Sequence, residues 1–133
     1  MIVRNIYKEQ KSPLELFKDE RGIITDIFYK EAIHHVAQID SEPHVIRGNH
    51  YHKETTQHML MMSGSMEYWY KNVGSDEEPK VAYLKKGDLV STPPLEIHTL
   101  KIGEDGNSFI VFSSGLRGGK DYEADTFRVA SII

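Results

Sequence analysis

Two histidines stand two residues apart in the stretch Arg47-Gly48-Asn49-His50-Tyr51-His52-Lys53. On a β-strand, residues i and i+2 point to one face, so His50 and His52 project side by side. Gln57 follows five residues after His52, and His98 lies far down the chain behind Gly87 and Pro93-Pro94. Three imidazoles and an amide converging on one pocket suit a divalent metal. The same imidazoles can act as acid and base without a metal. An exposed pair at this spacing is also what an ordinary solvated strand face looks like. With seven histidines in 133 residues, neighbours such as His34-His35 arise by chance.

The elements that must position these groups read as short strands. Met1 to Tyr7, Ile23 to Tyr29, His34 to Ile39 and His44 to His50 precede the histidine pair. Gln57 to Met62, Ser65 to Lys71, Lys80 to Leu84 and Leu89 to Thr92 follow it. Ile97 to Ile102, Ser108 to Ser113 and Thr126 to Ile132 complete the set. Gly, Pro, Asn and Asp punctuate them, with a tight turn predicted at Ser63-Gly64 and another at Glu104-Asp105-Gly106-Asn107. Leu14, Leu16 and Phe17 fit one helical turn or an extended arm. About ten short strands and no long helix imply an all-β fold, a double-sheet antiparallel sandwich or barrel of which the jelly roll is one form. Met59, Met61 and Met62 are expected as core filler. Met66, Tyr68 and Tyr70 should share a face, opposite Glu67, Trp69 and Lys71.

The bulk properties narrow the function classes. A chain of 133 residues is expected to form one domain spanning 1–133. A formal charge of −4 argues against nonspecific nucleic-acid binding. No apolar run approaches membrane-spanning length, and Met1 to Asn5 is too short an apolar start for a signal peptide. The absence of cysteine excludes disulfides and thiolate metal sites. Cytoplasmic location is the default reading.

The arrangement resembles the cupin superfamily, and so a cupin-type double-stranded β-helix. His50-x-His52, Gln57 and Gly64 match the first cupin motif, with Gln57 where Glu is usual. Gly87, Pro93 and His98 match the second, with Leu95 in place of glycine and Ile102 in place of asparagine. Within cupins the chain resembles those acting on nucleotide-linked sugars. Asp19-x-Arg21-Gly22, Gln38 and Arg47-Gly48-x-His50 are similar to the rhamnose-pathway 3,5-epimerases. Arg47 to His52, and Tyr122-Glu123-Ala124-Asp125-Thr126, are similar to the cupin domain of capsular-polysaccharide enzymes that epimerise C3 of a 4-keto nucleotide sugar. His50-x-His52-Lys53-xxx-Gln57 is similar to the nucleotide-sugar 3,4-ketoisomerases.

The resemblance implies an isomerase or epimerase of a 4-keto nucleotide sugar in surface-polysaccharide biosynthesis. A base removes a proton beside the ketone, the enolate is stabilised, and a proton returns elsewhere. The implied catalytic residues are His50, His52, Lys53 and Tyr122, with Tyr51 a further proton donor. Arg21 and Arg47 would hold a diphosphate, and Gln38 would join them in binding substrate. His50, His52, Gln57 and His98 would ligate a divalent metal, whether zinc, iron or nickel; a metal-free site stays open, because Gln57 removes one negative charge. Trp69 would stack a nucleobase or lie buried. A homodimer is expected, with residues 1–17 as an arm reaching the partner. A metal-dependent cupin oxygenase and a non-catalytic sugar-binding cupin are the alternatives.

Overall fold

The structure, a computed structural model, describes residues 1–115 and 123–133. Ten strands occur among them: β1 (Ile2–Asn5), β2 (Leu16–Asp19), β3 (Gly22–Thr25), β4 (His35–Ser41), β5 (Ile46–Tyr51), β6 (Thr56–Asn72), β7 (Lys80–Lys85), β8 (Asp88–Thr92), β9 (Glu96–Ser114) and β10 (Phe127–Arg128). The recorded strand pairings are antiparallel. No helix among the described residues is long and apolar enough to cross a membrane.

The frame is the ladder between the two long strands, running from Thr56↔Ser114 to Asn72↔Glu96. Its register breaks between Met61 and Ser63 and again between Gly64 and Met66. These bulges divide it into two half-sheets. In the first, β8 and then β1 extend β6, while β4 extends β9. In the second, β7 extends β6, while β5 and then β10 extend β9. Met59, Met61, Val90, Phe109 and Val111 from the first half pack against Met66, Tyr68, Leu84, Leu100 and Ile102 from the second. Two half-sheets closed over one core are the cupin-type jelly roll the sequence implied.

The two turns predicted at Ser63-Gly64 and Glu104 to Asn107 are not chain reversals. They lie opposite one another as the bulged bend of β6 and β9. Gly64 has φ +72°, and a Cβ there would stand 2.1 Å from the Gly106 carbonyl oxygen, so only glycine fits the crossing. The bend also corrects Met62, which is 43% exposed at the bulge, whereas Met59 and Met61 lie in the core. Leu16 and Phe17 lie in β2, and the last strand shrinks to Phe127–Arg128.

A second apolar cluster lies behind the first half-sheet. Ile6, Leu60 and Leu89 pack with Ile27, Phe28 and Phe112. Gln57 to Met61 is therefore buried throughout, because both faces of that part of β6 are covered. At the start of the segment expected as an arm, β1 pairs β8 from Ile2↔Ser91 to Asn5↔Asp88. Arg4 donates to the Gln10 side chain and to the carbonyls of Asp26 and Ile27, fastening the following loop to this layer.

Candidate functional site

An irregular strand assembles the site. β5 pairs β9 through Ile46↔Lys101, Arg47↔Leu100 and Gly48↔Thr99, and then His50↔His98. Asn49 is the extra residue of a β-bulge. Gly48 (φ +90°) and Asn49 (φ +56°) both adopt left-handed backbone, which suits these two residue types. A Cβ on residue 48 would lie 2.6 Å from the His98 carbonyl oxygen. The Asn49 Oδ1 accepts from the Thr99 hydroxyl at 2.8 Å, and its carbonyl accepts from the Val129 N–H at 2.9 Å. On a regular strand Arg47 and His50, three apart, would face opposite ways. The extra residue turns both inward, and both line one cavity of about 170 Å³ with Gln57, His98, Leu100 and Phe109.

His50, His52 and His98 each offer a ring nitrogen, all within 4.8 Å of one another. The ring centroids are 4.7 Å apart for His50 and His98, and 5.0 Å for His50 and His52. His52 and His98 are buried, while His50 is half-buried. The Nδ1 of His52 lies 2.7 Å from the Asp125 carbonyl oxygen, and that of His98 lies 3.2 Å from the Glu96 carbonyl oxygen. A carbonyl only accepts, so Nδ1 carries the proton in both rings and the lone pair of the neutral imidazole sits on Nε2. The Nε2 of His98 is buried and has no hydrogen-bond partner among the described residues. Burial holds the His98 pKa down at about 4, with the Glu96 carbonyl raising it and His52 lowering it. This ring is therefore neutral at physiological pH, the form that binds a metal.

The support under His52 comes from the far end of the chain. A single 3-10 turn, Glu123–Asp125, brings the buried Asp125 against residues 53–55. Its carboxylate accepts from the N–H groups of Lys53 (2.8 Å), Glu54 (3.1 Å) and Thr55 (2.8 Å), and from the Thr55 hydroxyl (2.7 Å). Burial pushes the Asp125 carboxyl up, but the Thr55 hydroxyl and the three amides outweigh it and hold the pKa below its ordinary value. The adjacent β10 pairs β5 through Phe127↔Tyr51 and Arg128↔His50. The expected site contained no such residue. The only sequence signal was the run Tyr122 to Thr126, and Asp125 lies about seventy positions from the groups it binds.

Other expected site residues are dispersed. Arg47 stands at the cavity, with Nε donating to the Ser41 hydroxyl at 2.8 Å and Nη2 to the Asp40 carbonyl at 3.2 Å. Gln38 is not brought there. It neighbours the cavity-lining Ile39, so strand alternation sends it to the opposite face, where it donates to Asp40 and Ser108. Arg21 lies on the β2–β3 hairpin, bound to the Asp19 carboxylate at 2.6 Å in a two-stranded sheet of its own. The Lys53 ammonium sits 4.3 Å from the Phe127 ring centroid, and Tyr51 stacks on that same ring. Trp69 donates to Glu67 on the face opposite the buried Met66 and Tyr68. Tyr122 lies outside the described residues.

Residues 17–118 match the family model for the polysaccharide biosynthesis C-terminal domain. A comparison with curated proteins found no match. Among solved structures, a 3,4-ketoisomerase from Helicobacter canadensis is 19% identical with a TM-score of 0.73, covering 97% of this chain and 92% of that one. The sugar 3,4-ketoisomerase QdtA from Thermoanaerobacterium thermosaccharolyticum, in complex with TDP, is 21% identical with a TM-score of 0.70, covering 96% and 88%. The capsular polysaccharide assembling protein CapF from Staphylococcus aureus is 22% identical with a TM-score of 0.66; the match covers 91% of this chain but 34% of CapF. At these identities the likeness is one of fold.

Proposed function

This chain belongs to the polysaccharide biosynthesis C-terminal domain family, and from that premise we propose that it is an isomerase of a 4-keto nucleotide sugar. The reaction is C3 epimerisation or 3,4-ketoisomerisation through an enolate. The observation that carries the reading is the bulge at Gly48-Asn49, which puts an arginine and a histidine on the same cavity. In this reading His50 is the base that takes the proton beside the ketone, because it lines the cavity and is less buried than its two neighbours. Arg47 receives the diphosphate. A cavity of about 170 Å³ suits the reacting sugar, with the nucleotide lying across the mouth.

The enolate oxygen needs positive charge or a donor. Neutral His98 has its proton committed to Glu96 and presents a lone pair instead. That buried lone pair and His52, beside Gln57, fit a divalent cation such as zinc, iron or nickel, and His50 completes the three ring nitrogens only where its lone pair is not spent as the base. When bound, such an ion supplies the positive charge for the enolate oxygen. Gln57 makes the donor set neutral, so the site should hold its ion less tightly than one with a carboxylate.

The test is deuterium uptake from heavy water into a panel of 4-keto nucleotide sugars. Uptake is expected with at least one of them, and His50→Ala should abolish it. If no sugar exchanges and His50→Ala behaves like the parent, the reading fails; oxygen consumption after iron loading would then favour a cupin oxygenase. The reading includes a cytoplasmic homodimer. Phe17 and Ile24, paired across the β2–β3 hairpin, are 56% and 68% exposed, and a two-stranded sheet is marginal alone. Sedimentation of the same preparation reads the assembly state.

A further inference from the structure

We propose that Asp125 is the positioning residue of the histidine pocket. Its carboxylate seats the Glu123–Asp125 turn on residues 53–55, and its own carbonyl thereby fixes His52 with the proton on Nδ1 and the lone pair on Nε2. The inference rests on His52 belonging to the working site proposed above.

Two contacts of one residue carry it. The carboxylate makes four hydrogen bonds, all to the three residues that follow His52. The carbonyl of the same residue lies 2.7 Å from His52 Nδ1. A carboxylate that merely capped the 53–55 turn would have no need of a main-chain oxygen aimed at the imidazole. Here the anchor and the acceptor belong to one residue, so seating the carboxylate on residues 53–55 brings the carbonyl to the His52 ring. Without that carbonyl, a neutral imidazole can place its proton on either nitrogen. The form with the proton on Nε2 has no lone pair there for a metal or a substrate proton. Such outer hydrogen bonds are how ligating histidines are generally oriented.

The test uses nitrogen-15 NMR of the histidine rings in metal-free full-length protein, and so does not depend on turnover. In the parent, His52 is expected in a single tautomer protonated on Nδ1. Asp125→Ala should convert it to a mixture of both tautomers, while His98, held by Glu96, keeps its own. Asp125→Asn should give a smaller share of the second tautomer, because its amide keeps an acceptor but turns N–H against one of the donors. A His52 that stays protonated on Nδ1 in both folded variants overturns the proposal. So does an equal change at His98, which is what a general loosening of the pocket would produce. Should Asp125→Ala fail to fold, Asp125→Asn decides by the same two readings. A tautomer that is single in the parent and mixed in Asp125→Ala, in a protein that exchanges no sugar proton, would uphold the positioning role while the isomerase reading fell.

Discussion

His98 shows how one buried side chain ties the site to stability. Its pKa is held at about 4 by burial, below the 6.5 of an unburied imidazole. The unfolded chain therefore takes up the proton more readily than the folded one as pH falls. The stability this ring confers is complete above pH 6.5 and is lost as pH drops from there towards 4. From pH 7.5 to pH 5 the loss should be roughly 2 kcal/mol. Denaturant unfolding of metal-free protein at both pH values checks it, with the difference between the two reduced by that amount in His98→Gln. At this scale the histidines were legible: His50 and His52 from their spacing, His98 from the second motif. Arg21, Gln38 and Lys53 were not, because a motif names residue types and leaves open which face or which local partner they take. Arg21 is bound to Asp19, Gln38 is on the wrong side of its strand, and Lys53 is over Phe127. Asp125 was equally hidden, since its partners are distant in sequence.

At the level of elements, the Gly48-Asn49 bulge decides which side chains enter the cavity. The strands were mostly found where alternation and turn residues put them, but bulges and turns draw on the same residues. Ser63-Gly64 and Glu104 to Asn107 were predicted as turns and serve as the bend in the two longest strands. Gly48-Asn49 was read as ordinary strand and serves as the bulge. The difference is set by cross-strand register, which local sequence does not carry. The prediction at this scale is that Gly48→Ala damages the site beyond its cost in stability. Its Cβ meets the His98 carbonyl oxygen and its backbone stays left-handed. A cost of about 1–3 kcal/mol is expected from the strain. Relieving it by straightening the bulge would turn His50 outward. Deuterium uptake should therefore fall further in Gly48→Ala than in a substitution of equal stability loss away from β5, such as Leu84→Val. Equal activity in the two variants would remove the bulge from its role.

Across the whole molecule, two apolar clusters share β6 but do different work. The cluster between the half-sheets includes Met59, Leu100, Phe109 and Val111, which also wall the histidine cavity. The cluster behind them, Ile6, Leu60 and Leu89 with Ile27 and Phe28, joins the N-terminal segment to the outer face and lines no part of that cavity. The sequence carried a sign of this third layer. Gln57 to Met61 does not alternate, and an unalternating strand is one covered on both faces. What covers it could not be read, since Ile6 and Ile27 reach it through β1 pairing, the Ile6 N–H on the Gly87 carbonyl and the grip of Arg4 on the loop, all contacts distant in sequence. The separation makes a paired prediction. Ile6→Ala and Leu100→Ala each remove a buried aliphatic chain and should each cost about 2–5 kcal/mol in denaturant unfolding. Only Leu100→Ala opens the wall beside His98 and Arg47, so it alone should lower proton exchange per folded molecule. If Ile6→Ala lowers exchange to the same degree at a temperature where both variants are folded, the outer layer is coupled to the site and the two clusters act as one.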